Sequence, residues 1–176
     1  MKIPVSLLST YLYCSRKLFL QEVLLLEEPP KESVVMGAIR HETYDKINKM
    51  EEEIVTSIKK KINLEKIKEL YRKKYLEVLR KVILNNKERL KEVNKSVIEA
   101  YEKSSAFIIE ESEMRSNNIF NFIEANNVFG EELWEKLIPK IISELKVDSD
   151  ELRLKGIVDQ VHVYTNDYVP FELKTG

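Results

Sequence analysis

Through most of the chain the hydrophobic positions recur at helical spacing, and only after about residue 141 do they alternate. Residues 4–26, "PVSLLSTYLYCSRKLFLQEVLLL", predict one helix, with Pro4 and Ser6 as start signals. "EEPPKES" ends it, because Pro29 and Pro30 cannot continue a helix. A second helix is predicted over about 33–50; within it Gly37 and His41 stand one turn apart and share a face. From about 56 to 103, Ile67, Leu70, Tyr71, Tyr75, Val78, Leu79 and Val82 trace one stripe, which Leu90, Val93, Val97 and Tyr101 resume after a break near 84–88. Residues 104–127 continue as helix, and "GEELWEKLIPKII" starts another that Pro139 limits.

Alternation then predicts strands in "IISELKV" and "ELRLKGIVDQVHVY" around the turn "DSD", and a third strand, "YVPFELK", after the turn "TND". The expected class is α+β. A helix-rich body leads into the first strands of a sheet, with 1–50, 51–140 and 141–176 as parts of one domain. Common sheets hold about four to six strands. Three strands therefore read as an incomplete sheet, and the chain as the amino-terminal part of a longer protein.

Composition narrows the class. Of 176 residues, 43% are hydrophobic and 34% charged, which suits a packed globular domain rather than a disordered one. No apolar run approaches the roughly 18 residues that span a bilayer. The start lacks a signal peptide's apolar stretch and cleavage site, and one cysteine cannot form an internal disulfide, so a reducing cytoplasm is the expected location. Net charge is −1, but residues 46–103 hold 17 basic and 10 acidic side chains against 12 and 20 elsewhere. A basic helical segment beside an acidic remainder suits a polyanion on one side and cations on the other. Lys and Glu that merely solvate outer helix faces produce the same pattern.

Candidate chemistry lies in the last hairpin. Pairing the strands across a two-residue Asn166–Asp167 loop puts Val161 opposite Glu172 and Asp159 opposite Lys174, so that Asp159, Glu172 and Lys174 converge on one face. Pro170, which cannot donate a ladder bond, is the weak point of that register. Two carboxylates beside a lysine suit a divalent metal such as Mg2+ or Mn2+. The metal would acidify a water or neutralise charge on a phosphate, and the lysine would orient or deprotonate that water. An Asp–Lys cross-strand ion pair with one exposed Glu would have the same spacing.

The order Asp159, then Glu172-x-Lys174, resembles the signature of the PD-(D/E)xK nuclease superfamily. "GIVD" with "FELKTG", and "GAIRHE" with its His41 on an early helix, resemble the RecB-like branch. "LSTYLYCSRKLFL" is similar to the amino-terminal segment of the CRISPR-associated exonuclease family called Cas four, with Ser15 where that family usually has proline. The resemblance implies a restriction-endonuclease-like mixed sheet. It implies that His41, Asp159, Glu172 and the carbonyl of Leu173 bind Mn2+ or Mg2+, with Lys174, Asp159 and Glu172 catalytic. It also implies that Cys14 is one of four cysteine ligands of a 4Fe-4S cluster, the other three of which are absent from this chain. Arg16 and Lys17 are candidate phosphate contacts, and Tyr71, Tyr75 or Tyr101 candidates for base stacking, although their helical spacing better suits core positions. The implied activity is single-stranded DNA exonucleolysis in CRISPR spacer acquisition, with DNA and CRISPR integrase proteins as partners. The rival reading is a non-catalytic helical module that binds DNA or an integrase.

Overall fold

A computed structural model describes residues 1–172. The chain runs β1 (Ile3–Pro4), α1 (Val5–Tyr13), α2 (Ser15–Glu22), α3 (Glu32–Thr56), α4 (Leu64–Asn85), α5 (Lys87–Glu92), α6 (Val97–Asn126), α7 (Gly130–Lys136), β2 (Lys140–Ser149), β3 (Leu154–Val163) and β4 (Tyr168–Phe171). It is an α+β fold: a helical body carrying a small mixed sheet.

Local chemistry explains where the helices begin and end. The Asn63 side chain accepts from the Lys66 N–H and starts α4. Ser96 and Glu99 form a reciprocal capping box that starts α6, and Asn127 closes it in the left-handed region (φ 50°). The predicted break near 84–88 falls at Asn86, whose amide donates to the Val82 carbonyl at 3.0 Å and to Glu42 Oε2 at 2.8 Å, tying the α4–α5 corner to α3. At the start of α7 the backbone needs φ 62°, which glycine adopts without strain, and the Gly130 N–H donates to the Ile58 carbonyl at 2.8 Å.

Two helical expectations are corrected. Residues 4–26 form two helices, because Cys14 is extended (φ −162°, ψ 101°) and serves as C-cap of α1 and N-cap of α2. The helix expected from about 56 begins only at Leu64, after α3 has run on to Thr56, whereas residues 97–126 continue as one helix as the pattern indicated.

The core lies among α3, α4 and α6, with α5 and α7 closing its ends. Tyr71, Tyr75, Ile39, Ile47, Ile67 and Val82 are fully buried. The two tyrosine rings meet edge to face, with centroids 5.4 Å apart. They are core residues, as their spacing allowed, and are closed to bases; Tyr101 is partly buried against the same cluster.

In the sheet, β3 is central. β2 pairs with it antiparallel along one edge, while β1 (parallel, beside Leu154–Lys155) and β4 (antiparallel, beside Gln160–Val163) share the other. The two-residue β1 is too short to register as a strand in sequence. It is drawn in by the Ile3 N–H donating to the Arg153 carbonyl at 2.8 Å, and by Lys2 bridging Asp148 and Asp150.

The β3–β4 register also departs from expectation. Val163 faces Tyr168, and Val161 faces Pro170 instead of Glu172, across a four-residue connection, 164–167. There the Tyr164 N–H donates to the Asp167 carbonyl at 2.8 Å and closes a two-residue turn over Thr165–Asn166, one position before the expected Asn166–Asp167. The slip is two residues, so every side chain keeps its expected face. One further pair in the same register would set Glu172 opposite Asp159.

Candidate metal centre

Three side chains from three elements meet beside β3. His41 comes from α3, Asp159 from β3 and Glu144 from β2. His41 Nδ1 is 3.0 Å from Glu144 Oε1 and 3.7 Å from Asp159 Oδ1, and the three ligand atoms lie within 4.8 Å of one another. All three residues are partly buried. Oxygen or nitrogen ligands held about 2.1 Å from an octahedral ion stand about 3.0 Å apart when adjacent and about 4.2 Å apart when opposite. The observed separations therefore fit a single ion with little movement. Two carboxylates and one imidazole suit Mg2+ or Mn2+, the imidazole being better tolerated by Mn2+.

Glu144 is the residue that sequence reasoning missed. It lies inside β2, where the pairs Ser143–Gln160 and Leu145–Val158 flank it, so the register sets it opposite Asp159. Its backbone is left-handed (φ 52°), which is uncommon for a non-glycine residue and interrupts the ladder at that point. One signal was available: "ELK" occurs at 144–146 as well as at 172–174, and pairing the strands across the turn at 150–153 matches 144 with 159.

The other candidates divide. Glu172 is exposed and lies outside the three-residue cluster, yet it lines the same open cleft as Asp159. That cleft, of about 1160 Å3, also draws on Ser6 and Ser9 of α1 and on Lys146 and Lys155 of the sheet. Leu173 and Lys174 lie outside the described residues. Cys14 sits between α1 and α2 as a free thiol, the only cysteine in the sequence. Arg16 is exposed on α2, whereas Lys17 Nζ is held 2.6 Å from Glu28 Oε1. Lys17 and Lys31 together pull the Glu28 carboxyl down to about 2.

Behind the cluster a buried polar network joins the helical body to the sheet. The Tyr71 and Tyr75 hydroxyls donate to the two Glu51 oxygens at 2.7 and 2.9 Å. Arg115 donates from Nε to Glu111 at 2.7 Å and from Nη2 to Asn48 Oδ1 at 2.8 Å, with Nη1 3.5 Å from Glu51. Burial works against the Arg115 charge, but Tyr75, Glu51 and Glu111 outweigh it and hold its pKa above the ordinary value. The Asn48 amide then donates to Ser143 Oγ on β2. On β3, burial pushes the His162 imidazole below its usual pKa, the Arg115 charge adds to that, and the ring packs 4.1 Å from Phe171.

A sequence profile of the DNA replication factor Dna2 family matches residues 3–163. The chain belongs to the Dna2 family. No curated protein and no solved structure matches it. The matched stretch contains His41, Glu144 and Asp159 and stops before Glu172. Membership of the Dna2 family makes the chain's setting a DNA-directed, nuclease-related one. It also corrects the assignment to the Cas four family: the motifs behind that resemblance are short fragments toward the two ends of the chain, whereas the Dna2 match runs through the long helical body as well. The CRISPR setting, the integrase partners and the 4Fe-4S cluster rested on that resemblance and lose their basis with it. Among the described residues no helix is long and apolar enough to cross a membrane.

Proposed function

We propose that the chain is a divalent-metal-dependent DNA nuclease module acting on single strands, with exonucleolytic cleavage as its mode. The observation that carries this reading is the meeting of His41, Glu144 and Asp159 inside the stretch matched by the Dna2 family. Bound there, Mn2+ or Mg2+ would lower the pKa of a water and offset charge on the scissile phosphate. His41 Nδ1, a Glu144 oxygen and an Asp159 oxygen would hold it. Glu172, on the wall of the same cleft, joins them as a further carboxylate once substrate is seated. Lys174 would orient the attacking water, and the Leu173 carbonyl would complete the ligand set. Lys146 and Lys155 line the cleft and supply positive charge for backbone phosphates.

The test is cleavage of labelled single-stranded DNA with Mn2+ by the wild type and by His41→Ala, Glu144→Ala and Asp159→Ala. Wild-type cleavage with losses of about 100-fold or more in each variant is expected. Equal cleavage by wild type and Asp159→Ala would sink the catalytic assignment. DNA binding by a wild type that never cleaves would favour a binding module instead.

A further inference from the structure

We infer that Asn48 and Ser143 are positioning residues for the metal centre proposed above, setting the aim of Glu144 from the buried network of the helical body. The inference rests on that proposed centre. Neither residue is one of the three ligands. Each acts on the elements that carry them.

The argument starts with the Asn48 amide, which is clamped at both ends. A guanidinium has only donors, so Arg115 fixes which end of the amide is oxygen and leaves the NH2 for Ser143 Oγ. Arg115 is itself fixed, because Glu111 and Glu51 hold it and Tyr71 and Tyr75 hold Glu51. Arg115 is 7% and Glu51 6% exposed, so these bonds form away from competing water. The chain of bonds ends on the residue before Glu144.

Asn48 lies on the same helix as His41, seven residues on, a separation of about 10.5 Å along the axis. Consecutive residues of β2 therefore reach α3 two turns apart: Ser143 at Asn48 and Glu144 at His41. A regular strand does not deliver two neighbours to such distant points on one helix. The left-handed φ of Glu144 does, and the Asn48–Ser143 bond pins the strand just before it. Without that bond Glu144 is free to return to ordinary strand geometry, which turns its carboxylate away from His41.

The test is Mn2+ affinity, measured by the electron paramagnetic resonance of free and bound Mn2+. Wild type, Ser143→Ala, Asn48→Ala, the double variant and Ser143→Thr are compared, with circular dichroism melting to check folding. Ser143→Ala and Asn48→Ala are each expected to weaken Mn2+ binding by about tenfold, in the range of lost outer-sphere partners. The double variant should bind no worse than either single one, because both break the same bond. Ser143→Thr, which keeps the hydroxyl, should restore both the affinity and the bound-Mn2+ line shape. Wild-type affinity in Ser143→Ala, additive losses in the double variant, or no rescue by threonine would each overturn the inference while leaving the metal centre standing. Wild-type protein that binds no Mn2+, or affinity unchanged in His41→Ala and Asp159→Ala, would overturn both.

Discussion

The helical body and the sheet are built to different standards of burial. α3, α4 and α6 enclose a cluster of fully buried aliphatic and aromatic side chains, whereas within β1–β4 Val161 is the one buried hydrophobic residue among those described. Ile142, Val147, Ile157, Tyr168 and Phe171 of the sheet are exposed, and α1 and α2 bury no residue at all. Stability is therefore concentrated in the helices and the candidate chemistry on the sheet. α3 belongs to both: its buried face serves the core, and His41 and Asn48 serve the sheet. Loosely packed elements suit a site that must admit a long polymer, provided something rigid holds the ligands.

The contrast can be broken by mutation. Tyr75→Ala empties a fully buried site and removes a hydroxyl bond to Glu51, so it should cost about 3–5 kcal/mol in urea denaturation. Ile157→Ala, at a position 56% exposed, should stay within about 0.5 kcal/mol. Comparable losses at the two positions would mean that the sheet face is buried in solution.

Function should follow the reverse order. Asp159→Ala should lower Mn2+-dependent cleavage by about 100-fold or more, roughly 2.7 kcal/mol in transition-state stabilisation, while the urea midpoint stays near wild type. A large stability loss together with the activity loss would assign Asp159 to the fold rather than to the chemistry.

Acidification probes the junction between the two regions. The folded-state pKa of His162 is depressed, so over the interval between that pKa and the usual value of about 6.5 the unfolded chain binds more protons. Its contribution to stability is complete above about pH 6.5 and declines as the pH falls below it. His162→Phe should flatten that part of the stability–pH profile, and an unchanged slope would remove the assignment.

The smallest effect is expected on the surface. Glu28 should titrate near 2 by carboxyl NMR, because Lys17 and Lys31 both hydrogen-bond it, and Lys17→Ala should move that value back toward the ordinary carboxylate range. Thermal stability should not change measurably, since surface ion pairs contribute little.

Much of this division was legible in the sequence. The stripe from Ile67 to Val82 is the buried face of α4, and the onset of alternation near 141 marks β2. Asp159 stood out as an acid in an apolar strand, and His41 through the resemblance of "GAIRHE" to the RecB-like branch. Glu144 did not, since in "IISELKV" it reads as an ordinary outward-facing residue; its role depends on a left-handed backbone that no alternation rule encodes. The helix break at Cys14 was hidden for a related reason: the apolar period runs through it, and only its extended backbone splits the helix. The β3–β4 register missed by two residues because the two-residue turn was placed at Asn166–Asp167, whereas Tyr164 and Asp167 close it over Thr165–Asn166.

α3 runs 25 residues, and Glu51, gripped by Tyr71 and Tyr75, stands ten residues, about 15 Å, from His41 along the same helix. A tilt of about 4° displaces the imidazole by about 1 Å, several times the roughly 0.2 Å that metal coordination tolerates. At the proposed centre, cation affinity should therefore register a loosening of α3 on warming before the chain unfolds.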